Sequence, residues 1–253
     1  MLEREGNDYM GHKGASAYDQ ERFFESFLAR RNRSESPNNI IEKPVLLELL
    51  DPVVGKRVVD LGCGDGLFGC DLKERGASYY EGVEGSRNMV QKAEGNLGES
   101  NVAIVHTPIE EWQSRKESFD IVVSRMVFHY IENLPLVFRK VYESMKEGGQ
   151  FVFSVQHPVL TSSMESAAKS GKRSSWLVDD YFRSGERQEP WLEEEVTKYH
   201  RTMEQYFQLI KQAGFAVEDL RECEPRREYF KKDEEYDRRQ RIPLFLLFAC
   251  RKS

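Results

Sequence analysis

The sequence predicts an α/β fold: a doubly wound, mostly parallel sheet with an antiparallel last strand. A helical extension precedes the sheet and an insertion follows its fifth strand. Three observations predict it. From "KRVVDLG" to "QFVFSV", short β-rich runs alternate with segments of helical period at the spacing of βαβ units. The first strand runs into a glycine turn, "VVDLGCGDGLFG", of the kind that lets a backbone approach a ligand or a helix closely. The last apolar run, "IPLFLLFACRK", follows its predecessor through a charged loop with no helix expected between them, so it has to return antiparallel.

The elements follow in order. "AYDQERFFESFLARR" places Phe24, Phe27 and Leu28 at helical spacing, and "NNIIEKPVLLELL" reads as a second helix behind an Asn cap. After the first strand, "LFGCDLKERG" reads as a helix closed by Gly76, "SYYEGVE" as a strand, and "SRNMVQKAEGNL" as a helix opening on Ser86. "NVAIVH" and "FDIVVS" are strands three and four. "ENLPLVFRKVYESMKEGG" is a helix with Pro135 in its first turn and glycines at its end, and "QFVFSV" is the fifth strand. The pattern then breaks: residues 157–198 carry Trp176, Tyr181, Phe182 and Trp191 among charges without a clean period. A helix resumes around "YHRTMEQYFQLIKQAGF", "AVEDL" is a strand, and the charged stretch 221–241 leads to the last strand. The expected organisation is an N-terminal helical extension or lid over 1–50, a core over 51–156 and 199–253, and a substrate-recognition insertion over 157–198.

Composition narrows the function classes. The 253 residues suffice for one large domain with a real core. No run approaches the roughly 18 apolar residues of a membrane span, and the N-terminus lacks the apolar stretch of a secretory signal. A cytoplasmic protein that neither enters a membrane nor binds nucleic acid is expected, the latter because the net charge is −6. Cys63, Cys70, Cys223 and Cys250 form no CxxC pair and no metal-spaced cluster, so they read as reduced thiols and no metal site is expected.

The glycine turn carries the chemistry. Leu67 stands where the third glycine of a dinucleotide fingerprint would be, and no Gly-Lys-Ser/Thr follows as in a P-loop. Asp60 before the glycines would repel a pyrophosphate but accept from an amine. Glu84, about 20 residues beyond the glycines at the end of the second strand, can accept both hydroxyls of a ribose. The site therefore wants a ribose and a cation and no phosphate, which describes S-adenosylmethionine.

With these residues the chain resembles a class I S-adenosylmethionine-dependent methyltransferase, over about Lys56 to Val155. "VVDLGCGDG" resembles that family's nucleotide loop, "YYEGVEGS" its acidic ribose motif, "FDIVVSRMVFHY" its fourth-strand motif and "MKEGGQFVFS" its entry into strand five. "FSVQHPV" and "KYHRTMEQYFQLIKQAGF" resemble a small-molecule subgroup. The resemblance implies a seven-stranded Rossmann-like sheet and S-adenosylmethionine as cofactor. It implies that Gly62, Cys63 and Gly64 line the methionine and ribose portion, with Asp60 orienting the loop or meeting the amino group. Glu84 would take the ribose, and Gly85 and Met89 would lie against the adenine. Pro108 and Ile109 stand where relatives contact the adenine ring, and Ser124, Arg125 and Met126 end the fourth strand beneath the sulfonium. The first helix, with Tyr18, would act as a lid.

Each position also has a plainer role. Arg125 equally fits an ordinary ion pair, Cys63 a small loop residue, Met89 and Met126 packing, and the 221–241 run either a solvated loop or a segment that closes over substrate. Methyl transfer from a sulfonium needs alignment and exclusion of water, and a base only where the acceptor must lose a proton. Of the five histidines, His157 and His200 are the expected base or substrate partners. His12 lies in the N-terminus, His106 ends strand three and His129 follows strand four. His129, Trp176, Tyr181, Tyr199 and Tyr206 are the expected acceptor wall, although the aromatic members would also serve as the insertion's own small core. The expected activity is methylation of a small organic molecule by a monomer or homodimer. Protein or nucleic-acid methylation, and a non-catalytic S-adenosylmethionine-binding sensor or partner subunit, are the alternatives.

Overall fold

The computed structural model describes residues 18–31, 33–113, 115–169, 175–191 and 194–253. His12 lies outside them. The strands are β1 Arg57–Leu61, β2 Tyr79–Glu84, β3 Val102–His106, β4 Phe119–Arg125, β5 Met145–Gln156, β6 Gly185–Trp191, β7 Glu194–His200, β8 Phe215–Arg221 and β9 Phe245–Lys252. The helices are α1 Glu21–Arg31, α2 Lys43–Leu49, α3 Leu67–Glu74, α4 Arg87–Leu97, α5 Leu134–Ser144, α6 Pro158–Thr161, α7 Glu165–Ala168, α8 Met203–Gln212 and α9 Asp233–Arg239. Seven strands form one sheet in the order β3-β2-β1-β4-β5-β9-β8, parallel except for β9, which pairs antiparallel with both neighbours. Strand order reverses between β1 and β4, so the carboxyl ends of these strands open the crevice in which such sheets bind ligands.

Strand alternation sorts the core into two layers. Phe151, Phe153 and Val155 of β5, with Leu246 and Phe248 of β9, face α5 and α8, where Val137, Phe138, Tyr206 and Ile210 close the layer. Val58, Val152 and Leu247 face the other way, against Leu46 of α2, Phe68 and Leu72 of α3, and Ala93 and Leu97 of α4. No helix among the described residues is long and apolar enough to cross a membrane.

Several local expectations need correction. The segment before α2 is a π-turn, Asn38–Glu42, following Pro37, with no side-chain cap; the Asn39 amide instead donates to the carbonyls of Arg31 and Arg33. α5 ends at Ser144, and the glycine stretch after it already belongs to β5. The stretch read as aperiodic holds two short helices and an antiparallel hairpin, β6 with β7. His200 therefore ends a strand, and α8 begins at Met203 behind the Thr202–Gln205 capping box. A helix, α9, does separate β8 from β9. The antiparallel return comes instead from the loop over 222–244, whose two ends lie on one edge: Arg221 pairs with Leu247, and Phe245 with Gln156.

The first helix docks through Phe23, which is buried, and Phe27, rather than through the Phe24 and Leu28 side of the expected stripe. Phe23 packs with Val196 of β7, next to Tyr18 and Tyr130. The Asp19 carboxylate anchors the start of the segment by accepting from the Ser86 hydroxyl at 2.7 Å. The extension thus bridges the start of α4 and the hairpin, across the open end of the sheet.

Candidate active site

The crevice holds two chambers that share Tyr18, Phe27, Arg31, Met126 and Tyr130 in their walls. The inner chamber is built by the ends of the parallel strands. Gly62 and Gly64 follow β1, Glu84 and Gly85 end β2, Met89 rises from α4, Pro108 and Ile109 follow β3, and Arg125 and Met126 close β4. Gly62 has φ +77°, and a Cβ there would strike the Val127 side chain, so this position needs glycine both for conformation and for space.

Glu84 organises the turn. One carboxylate oxygen accepts from the Gly64 amide at 3.0 Å and the other from the Ser86 amide at 2.9 Å. Burial raises its pKa, and these amides pull it back. Each oxygen keeps lone-pair capacity towards the chamber, as a bidentate ribose partner must. Asp60 stands one layer behind the wall, 1% exposed. Tyr80 donates its hydroxyl to one Asp60 oxygen at 3.0 Å, while the other oxygen has no hydrogen-bond partner. Burial drives this carboxyl up to about 6. An unpartnered buried carboxylate oxygen under a ribose-competent turn fits a ligand that carries both a ribose and an ammonium group.

Arg125 serves the chamber wall and the core at once. Its guanidinium pairs with the fully buried Glu42 carboxylate, with Nε 3.2 Å from both oxygens, and lies 4.5 Å over the Phe68 ring. Glu42 also accepts from Ser154 at 2.7 Å, and the Ser154 hydroxyl accepts from the Met126 amide at 3.0 Å. Met126 itself has φ +60°, held by this network.

Besides Asp60, two expected members of this chamber stand elsewhere. The Cys63 side chain turns into the sheet–helix core beside Gly82, because the turn that presents its neighbours outward points its own Cβ inward. Ser124 is fully buried and donates to the Leu61 carbonyl at 2.7 Å, tying β4 to β1.

The outer chamber, about 260 Å³, is walled by His129, Gln156, Leu160, Lys198, Arg239, Leu244 and Phe245 besides the shared residues. It draws on α1, the turn after β4, the end of β5, the hairpin and the 222–244 loop. Of the expected acceptor wall it contains His129 alone. His129 Nδ1 accepts from the Gln156 amide at 3.3 Å, which leaves the ring proton on Nε2. Burial, then the Lys198 and Arg201 charges, hold its pKa well below the usual value, so the ring is neutral near pH 7. Lys198 is buried in an ion pair with Glu189, donates to Gln156 at 2.7 Å, and sits 5.5 Å over the Tyr130 ring.

The two expected bases lie outside both chambers. His157 caps α6, accepting from the Val159 amide at 3.2 Å through Nδ1, while its Nε2 meets Glu222 at 2.9 Å. His200 spends Nδ1 on Thr161 at 2.7 Å and Nε2 on the Tyr181 carbonyl at 2.9 Å. Both ring nitrogens of each are committed, and burial lowers both pKa values. The aromatic wall is likewise absent. Tyr206 is a core residue against Phe153 and Phe248, and Tyr181 packs edge-on against His200. Tyr199 donates to Glu132 at 3.2 Å, and Trp176 borders neither chamber. Tyr130, Lys198, Arg31 and Arg239 escaped the sequence reading. Only Tyr130, five residues beyond Arg125, lay close enough to a motif to be found.

Comparison with known proteins agrees with this geometry. Residues 27–220 match a protein family described as a methyltransferase domain. An uncharacterized protein of Haemophilus influenzae is 33% identical over 217 residues, 82% of this chain and 85% of that one. A ubiquinone biosynthesis O-methyltransferase of Ralstonia nicotianae is 32% identical over 109 residues, which span 42% of this chain and only 45% of the relative. The crystal structure of an S-adenosylmethionine-dependent methyltransferase from Mesorhizobium loti superposes with a TM-score of 0.77 at 30% identity, covering 87% of this chain and 99% of that one. The family match over most of the chain, on a sheet whose first two strands end in a glycine turn and a ribose-competent carboxylate, means that the chain belongs to the class I S-adenosylmethionine-dependent methyltransferases.

Proposed function

We propose that this enzyme methylates a small organic acceptor held in the outer chamber, with S-adenosylmethionine in the inner one. The observation that carries the reading is the shared wall: Tyr18, Phe27, Arg31, Met126 and Tyr130 border both chambers, so a donor and an acceptor can meet there without solvent between them. When bound, S-adenosylmethionine supplies a methyl group already activated on a sulfonium.

In this reading Glu84 accepts from the ribose hydroxyls, while Gly62 and Gly64 bring the backbone close. Asp60 favours the ammonium group through the charge behind the turn, and Met89, Pro108 and Ile109 pack on the adenine. Arg31 is within reach of both chambers and suits the methionine carboxylate. Arg125 and the Glu42–Ser154 network hold Met126 in place. Tyr18 and Tyr130 cover the shared wall with the N-terminal helix.

No Asp or Glu is among the described residues lining the outer chamber, and His129 is neutral with its proton on the only nitrogen left to donate. The site therefore aligns and shields rather than deprotonates. It suits an acceptor whose nucleophilic lone pair is already available near neutral pH. His129 Nε2–H then orients the acceptor as a hydrogen-bond donor.

The chamber's size favours a small molecule over a macromolecular chain. The test is methyl transfer from methyl-labelled S-adenosylmethionine to a small-molecule panel, with protein and RNA acceptors in parallel. Label is expected in small acceptors only. Transfer confined to protein or RNA, or cofactor binding with no transfer to any class, would overturn the proposal.

A further inference from the structure

The outer chamber has an uneven distribution of charge. Five cationic side chains, Arg30, Arg31, Arg33, Lys198 and Arg239, line it with no carboxylate among its described lining residues, in a protein whose net charge is −6. Lys198 is neutralised by Glu189. Arg31, Arg33 and Arg239 make no such ion pair among the described residues. Arg31 lies 5.8 Å over the Phe27 ring, and Arg33 donates through Nε to the Arg30 carbonyl at 3.2 Å. Arg239 is half-buried, and its pKa is pulled down to about 10 by burial, then by the charge of Arg238, against the opposing pull of Glu235 and with a smaller push from Arg30. The nearby carboxylates are engaged: Glu235 pairs with Arg238 at 2.6 Å and Glu35 with Lys231 at 3.2 Å.

The placement has a direction. Arg33, Pro37 and Arg239 border both the outer chamber and the surface groove beyond it, so the guanidinium groups stand at the mouth. The opposite end is the wall shared with the cofactor chamber, with Tyr18, Phe27, Met126, Tyr130 and Arg31, the last being the group that suits the methionine carboxylate. Leu160, Leu244 and Phe245 give the space between an apolar lining. Several like charges in a partly desolvated wall are unfavourable unless an anion joins them.

We infer that the methyl acceptor is a small amphipathic organic anion, a carboxylate or a phosphate monoester, whose charged group is held by Arg239 with its neighbouring arginines at the mouth while its apolar body carries the nucleophile inward. This rests on the two-chamber reading above. A planar guanidinium that is only half-exposed is suited to bidentate recognition of either anion. The apolar middle of the chamber sets the spacing between that charge and the reacting atom.

The test is calorimetric binding to the protein saturated with S-adenosylhomocysteine. The probes are hydroxybenzoates and medium-chain fatty acids, each against its methyl ester, and phenyl phosphate against phenol. Members of one anion class are expected to bind at least roughly tenfold more tightly than their neutral counterparts. Arg239→Gln should erase that preference and Arg239→Lys should keep part of it, with the S-adenosylhomocysteine titration serving as the folding control. Preference in the carboxylate arm or the phosphate arm identifies which anion the mouth takes. Equal binding of the neutral partners, no binding of any anion, or a preference untouched by Arg239→Gln would overturn the inference. Failure of S-adenosylhomocysteine itself to bind would instead overturn the two-chamber reading beneath it.

Discussion

The Tyr80 hydroxyl donates to one oxygen of Asp60 at 3.0 Å and leaves the other buried without a partner. One hydrogen bond does not repay the loss of water around a carboxylate, which is why burial pushes this group up to about 6. The charges of Arg125 and Arg31 offset this only in part, so a cationic ligand near the glycine turn would favour the ionised carboxylate.

That arrangement gives a pH dependence with a definite sign. In the folded protein Asp60 holds its proton to higher pH than in the unfolded chain, so its effect on stability is most favourable at low pH and declines as pH rises from about 4 to about 6. An ammonium ligand favours the ionised form and reverses the trend for binding. Affinity for S-adenosylhomocysteine is expected to rise about tenfold between pH 5 and 7.5, following the ionised fraction of a group near 6. In Asp60→Asn the profile should be flat over that range. Calorimetric titrations across pH check both.

The Arg125–Glu42 pair is buried on both sides, at 7% and 0% side-chain exposure. Arg125→Met strands the Glu42 carboxylate and should cost about 3–5 kcal/mol in urea unfolding. The double variant Arg125→Met/Glu42→Gln should recover most of that loss, because the stranded charge is gone. Equal instability of the two variants would mean that packing over Phe68, not the ion pair, carries the effect.

His129 is expected to stay neutral, with its proton on Nε2, through the pH range in which an exposed histidine takes up its proton. Long-range nitrogen–proton NMR correlations read the tautomer directly. Because burial holds its folded pKa well below that in the unfolded chain, His129 contributes stability that is present above about pH 6.5 and is lost progressively on acidification. Methyl transfer should show no inflection near pH 6.5 from this residue.

The cofactor chamber was legible in sequence because each strand end contributes a short local signature. Glycines at positive φ, an acid closing β2 and the residues following β4 declare themselves within a few positions. The outer chamber was not, since Gln156, Lys198, Arg239 and Leu244 come together only through tertiary folding. The hairpin escaped for a related reason. Its buried face carries Glu189, Lys198 and His200, whose charge and polarity mask the strand period until ion pairing and hydrogen bonds are seen. His157 stands at the end of a sheet strand, as expected. However, the turn into α6 and the 222–244 loop claim its two nitrogens, and a sequence offers no local sign of such partners.

The central claim is that Glu84 holds a ribose in a chamber built for S-adenosylmethionine. The most direct measurement is calorimetric titration of S-adenosylhomocysteine into the wild-type protein and Glu84→Gln, which keeps the side chain's shape but removes its charge. Saturable one-to-one binding is predicted, weakened at least roughly tenfold in the variant through loss of charge-assisted hydrogen bonds to the ribose hydroxyls. Equal affinity in the two folded proteins, or no binding by the wild type, would contradict the account.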